Sequence, residues 1–71
     1  MKTGIYQHYK GPKYLVIDTV RHSETEELLV LYKPMQGEDN LWVRPFDMFF
    51  EEIEINKQLV PRFKYIGADC E

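Results

Sequence analysis

Short apolar runs rich in aromatic and β-branched residues alternate with polar turn clusters along the whole chain, which is the spacing of an all-β domain. The run Gly4 to Tyr9 stops at Lys10-Gly11-Pro12-Lys13, where glycine admits unusual φ and proline removes a ladder donor. Tyr14 to Val20 is the clearest strand, since its β-branched residues suit a pleated surface. The polar stretch Arg21 to Glu26 and the apolar Leu28 to Tyr32 read as a hairpin tip and its second strand. Pro34 to Asn40 reads as the most mobile loop, and Trp42 opens a short fourth strand.

Pro45 suits the first position of a helix, so Pro45 with Phe46 to Phe50 predicts one helical turn. In Glu51 to Ile55 the alternation puts Ile53 and Ile55 on one face and Glu52 and Glu54 on the other. Asn56-Lys57 turns the chain into a strand from Leu59 to Ile66, where Pro61 argues for an edge or a bulge. The last residues are expected to fray. Phe46, Phe49, Phe50 and Phe63 are assigned to the core.

With 71 residues the chain has room for a single domain, 1–71, with an ordered core at about 4–66. An immunoglobulin-type sandwich needs about 100 residues, so about five or six short strands with one short helical turn predict a small, partly open barrel. An aromatic fraction of 14% supplies much of the area such a core needs, with completion by a second copy as the other route. Monomer or weak homo-oligomer is the expectation. Net charge is −3, so no large positive field draws the molecule toward nucleic acid or an anionic membrane. No run approaches the roughly 20 apolar residues of a membrane span or forms a signal sequence. With one cysteine, Cys70, this points to a reducing, cytoplasmic setting and no membrane partner.

Four spaced motifs, Tyr6-x-His8-Tyr9-Lys10-Gly11, Arg21-His22-Ser23-Glu24-Thr25-Glu26, Trp42-Val43-Arg44-Pro45 and Pro61-Arg62-Phe63, resemble a family of small, mainly bacterial domains of unknown function. The resemblance spans about Gly4 to Ile66. It implies an SH3-like barrel in a cytoplasmic protein and carries over no catalytic residue, cofactor or partner.

His8, His22 and Cys70 lack the short spacing by which zinc sites take two ligands from one turn, so no metal site and no cofactor is expected. A hydrolase would draw on Ser23 or Cys70 with His8 or His22. Ser23 reads as a turn hydroxyl and Cys70 as a tail thiol, so no catalytic set stands out. The remaining signal is aromatic and basic residues at strand spacing. Tyr6 and His8 share a face by period two, as do Trp42 and Arg44, and Arg62 and Lys64. If these faces converge, the chain carries a groove lined by Tyr6, His8, Trp42, Arg44 and Arg62, flanked by Tyr9, Lys10 and Tyr14. Tyr, Trp and Arg are enriched where binding energy concentrates. The competing reading makes Trp42 a cap on the core, with Arg44 stacked on an aromatic neighbour or paired to an acidic strand residue, and pairs Arg62 with Glu51, Glu52 or Glu54.

Three functions follow in order. The first is an interaction module taking a protein or peptide partner along the groove or on a strand edge. The second is a binder of single-stranded nucleic acid or a nucleotide, with bases on Tyr6 or Trp42 and phosphates at Lys10, Arg44, Arg62 and Lys64. The third is a small enzyme using His8 as acid or base.

Overall fold

A computed structural model describes residues 2–35 and 40–68. It is all-β with one helical turn. The strands are β1 (Gly4–His8), β2 (Lys13–Arg21), β3 (Leu28–Pro34) and β4 (Trp42–Pro45), then helix α1 (Phe46–Phe49), then β5 (Glu52–Ile55), β6 (Gln58–Pro61) and β7 (Phe63–Gly67). Five strands form an antiparallel sheet in the order β4-β3-β2-β1-β7, and β5 with β6 forms a separate hairpin. The sheet does not close on itself, so the barrel is open: β4 and β7 are its two edges.

Seven strands replace the expected five or six because the Leu59–Ile66 segment divides. Pro61 ends β6, and Arg62 turns its amide back to donate to the Glu51 carbonyl at 2.8 Å. Only from Phe63 does the chain join β1, with His8 opposite Phe63 and Tyr6 opposite Tyr65. Lys64 is exposed on a strand to which Arg62 does not belong, so the two do not share a strand face. Pro45 is likewise not the first helical residue: it ends β4 and caps α1 with extended backbone, ψ 139°. Most of the loop expected to be mobile, together with Cys70, lies outside the described residues.

The core is a ring cluster on one face of the large sheet. Tyr6, Val16, Val30, Tyr32, Phe49 and Phe63 are buried, and Tyr14, Phe46, Phe50 and Tyr65 pack against them. Phe49, carried by α1, stacks on Phe63 with centroids 4.0 Å apart and planes 2° off parallel. The helix thus closes one end of the sheet's inner face. Phe46 and Phe50, expected in the core outright, are half-buried along its margin.

Turn chemistry explains the connections. Between β1 and β2 the His8 amide donates to the Pro12 carbonyl and the Gly11 amide to the His8 carbonyl, each at 2.8 Å, around Gly11 at φ +120°. At the β2–β3 tip, His22 Nδ1 accepts from the amides of Glu24 (3.0 Å) and Thr25 (3.3 Å), which makes it the turn histidine expected. Between β5 and β6, Asn56 (φ 52°) and Lys57 (φ 65°) join the Ile55–Gln58 pair. A two-residue hairpin turn of this kind needs positive φ at both positions. Asparagine adopts that region readily, whereas Lys57 occupies it at a cost. Lys57→Gly is expected to raise unfolding free energy by about 0.5–1 kcal/mol in urea. A loss of stability would show that the strain is absent.

Candidate binding site

Beyond the reach of α1, the inner face of the large sheet carries rings and cations. Trp42 and Arg44 alternate along β4, opposite Tyr32 and Val30, and point inward, while Val43 between them is exposed on the other side. Trp42 meets Tyr14 (6.1 Å) and Tyr32 (6.0 Å), and Tyr14 meets both Tyr32 (5.5 Å) and Phe63 (5.6 Å). Phe63 is the hub. The Arg44 guanidinium carbon lies 5.7 Å from its ring centre, and the His8 ring stands edge-on to it at 4.9 Å. Tyr9 lies 4.5 Å from His8, and Lys10 Nζ 5.9 Å from the Tyr9 ring.

Phe63 thus links His8 and Arg44 and, through Tyr14, Trp42, while Tyr9 and Lys10 adjoin His8 in the turn after β1. Trp42 is 39% exposed and Tyr9 37%, whereas Tyr6 is only 4% exposed. Tyr6 instead packs edge-on against Phe49, Phe50 and Tyr65 and donates its hydroxyl to the Lys2 carbonyl at 2.7 Å, so it is floor rather than wall. Burial, then the neighbouring Tyr65, pushes that hydroxyl's pKa up. Tyr6 follows the expected alternation with His8; α1 covers its end of the strand and leaves the other open.

The cations differ in how they are held. Arg62 is paired with Glu51 at 3.1 Å, one of the three partners the sequence offered. Its Nε is buried without a hydrogen bond. Arg44 makes a long hydrogen bond from Nε to the Tyr32 hydroxyl at 3.4 Å and has no carboxylate partner among the described residues. Lys10 has none either.

His8 sits among these charges. Burial pushes its pKa below the ordinary 6.5, and Arg44, Arg62 and Lys10 push it further the same way. Its Nδ1 accepts the Lys10 amide at 3.1 Å, which fixes the neutral ring with its proton on Nε2. A base at this position would have its Nδ1 lone pair already engaged. Because the native ring resists a proton that the unfolded chain accepts, stability falls as pH drops from about 6.5 through the lowered native value, and levels off below it. An NMR titration should place the His8 midpoint below 6.5, and Arg44→Gln should move it up. A midpoint above 6.5 would contradict this.

Sequence reading left out Tyr32 and Phe63 as parts of the site. Tyr32 ends an unbroken apolar run, Leu28 to Tyr32, in which period two cannot pick the inward face. Phe63 reads correctly as core and, from beneath, also supports Arg44 and His8. A shallow cleft of about 400 Å³ adjoins His8 and Tyr9, walled by Ile55, Val60 and Pro61. A larger one, about 630 Å³, lies between Ile5, Pro12, Tyr14, Pro34 and Ile66.

The profile of a family described as protein of unknown function, DUF1653, matches residues 4–65. The chain belongs to the DUF1653 family. A crystal structure of a DUF1653 protein from Bordetella bronchiseptica superposes with a TM-score of 0.87 at 29% identity, over 100% of this chain and 94% of that one. No curated protein matches this DUF1653 chain. No helix among the described residues is long and apolar enough to cross a membrane. No group of three or more His, Cys, Asp or Glu side chains among them could hold a metal ion.

Proposed function

We propose that this DUF1653 domain is a binding module whose recognition surface is the open half of the sheet's inner face, built from His8, Tyr9, Lys10, Tyr14, Trp42 and Arg44, with Arg62 at its margin. The observation that carries the reading is Arg44: a half-buried cation laid over Phe63 beside an exposed Trp42, with no carboxylate partner among the described residues. Structural arginines in a small domain are commonly paired, as Arg62 is with Glu51. Arg44, with no carboxylate partner among the described residues, leaves its charge beside the exposed Trp42 ring for a ligand.

A peptide or protein partner could lie along these rings or add to β7, whose outer side has no paired strand among the described residues. Single-stranded nucleic acid or a nucleotide is the second reading, favoured by the same unpaired cations next to stackable rings.

Trp42, the only tryptophan, reports on the face directly. Its emission should be red-shifted in the free protein and should change when a short single-stranded oligonucleotide or an acidic peptide is added. Trp42→Ala should abolish the binding yet cost well under the roughly 3–5 kcal/mol of a buried tryptophan. Emission indifferent to both probes, with a core-sized stability loss, would make the ring a cap on the core and end the proposal.

A further inference from the structure

Resting on the reading of this face as the recognition surface, we infer that its ligand is single-stranded nucleic acid, with bases stacked on Trp42 and Tyr9 and phosphates met by Arg44 and Lys10. Two ring-and-cation pairs carry the inference. On β4, Trp42 and Arg44 stand two residues apart on one face, about 7 Å along the strand. Just past β1, Tyr9 is exposed with the Lys10 ammonium 5.9 Å from its ring. Between the two pairs lie His8 and Phe63, with His8 in ring contact with Tyr9 and Arg44 lying over Phe63. The site therefore repeats one unit: a π surface beside a positive charge.

A nucleotide strand is the polymer whose repeat offers the complement, a flat base and one negative phosphate in every unit. An acidic peptide supplies the charge and leaves the rings without flat partners. Against the overall net charge of −3, the charges among the described residues that shift His8, at the centre of the face, are positive: Arg44, Arg62 and Lys10. Glu51 is the carboxylate in ion-pair contact with that group, and it is held by Arg62. Glu24, Glu26 and Glu27 sit in and beside the exposed β2–β3 tip, and Glu52 and Glu54 are exposed on β5. The exposed, edge-lying β4 and the open end of the sheet suit a flexible strand rather than a duplex, whose bases are already stacked on each other.

The test is a titration of the wild-type protein with a labelled oligothymidylate of about ten nucleotides, a duplex of equal length and an oligoglutamate peptide of equal charge, followed by anisotropy and by Trp42 emission. The single strand should bind, quench Trp42 and outcompete the duplex, and its affinity should fall as salt rises. Arg44→Gln and Lys10→Gln should each lower the slope of log affinity against log salt by about 0.7, the value for one single-strand phosphate contact. Lys10 is exposed, so its variant keeps the test alive if Arg44→Gln disturbs the packing on Phe63. No binding of the single strand, or slopes unchanged in a folded Lys10→Gln variant, overturns the inference. Peptide binding that moves Trp42 where the oligonucleotide does not would overturn it while leaving the recognition face standing. Silence toward every probe would remove both.

Discussion

Phe49→Ala is expected to cost about 3–5 kcal/mol, enough to remove a large share of the stability of the domain. Phe49 is 0% exposed, lies flat on Phe63 at 4.0 Å, and meets Tyr6, Tyr32 and Phe50 edge-on at 5.5, 5.3 and 5.0 Å. A four-residue helix with no side-chain N-cap cannot hold itself in place by hydrogen bonds. Its buried ring is what fastens α1 to the sheet. Native domains have about 0.05–0.15 kcal/mol of stability per residue, roughly 4–11 kcal/mol for 71 residues, so the loss takes a large share of it. Circular dichroism should show a melting midpoint lowered by about 4–8 °C per kcal/mol, or no cooperative transition at all. A loss below about 1.5 kcal/mol would mean that the neighbouring rings collapse into the space, and that α1 is not pinned by this contact.

Gly4→Ala is expected to be nearly as damaging, through the backbone rather than a cavity. Gly4 stands at φ +136°, and a Cβ there would meet the Gly67 carbonyl oxygen at 2.6 Å and the Ala68 Cα at 3.1 Å. Both are backbone atoms and cannot swing away. β1 is bonded on both sides, to β2 and β7, so shifting Gly4 disturbs two ladders. Strained φ and forced contact each cost about 1–3 kcal/mol, giving roughly 2–6 together. Gly11→Ala is the control: φ is +120° there too, but a Cβ would meet nothing within 4 Å. It should show the φ strain alone, so the difference between the two variants in urea unfolding isolates the contact. Equal losses would assign the whole cost to φ and remove the steric argument.

Much of the architecture is legible in the chain because local chemistry and tertiary structure agree. The Gly11-Pro12 turn, the β-branched β2 and the Asn56-Lys57 turn each have one economical reading, and the structure adopts it. Legibility fails where the outcome depends on what lies across the sheet. Tyr6 and His8 share a face, yet α1 packs over one and leaves the other at the surface. The break at Arg62 depends on its amide finding the Glu51 carbonyl, and its guanidinium the Glu51 carboxylate, eleven residues away. A bulge between Val16 and Asp18 shifts the β2–β3 register, so the inward set on β3 is fixed by pairing and not by the uniform apolar run itself. The β3–β4 pairing puts Tyr32 opposite Trp42. Arg44 was legible as a candidate from its spacing to Trp42; that it has no carboxylate partner among the described residues while Arg62 has one was not.

The most direct test of the recognition face is amide chemical-shift mapping of the wild-type domain titrated with the oligothymidylate and, separately, with the acidic peptide. The account predicts perturbations grouped at His8–Lys10, Tyr14, Tyr32, Trp42–Arg44 and Arg62–Phe63, with the β5–β6 hairpin tip and the β2–β3 tip unmoved. Shifts centred instead on Ile5, Lys13, Met35 and Ile66, around the larger cleft, with His8–Lys10 and Trp42–Arg44 unmoved, would contradict it.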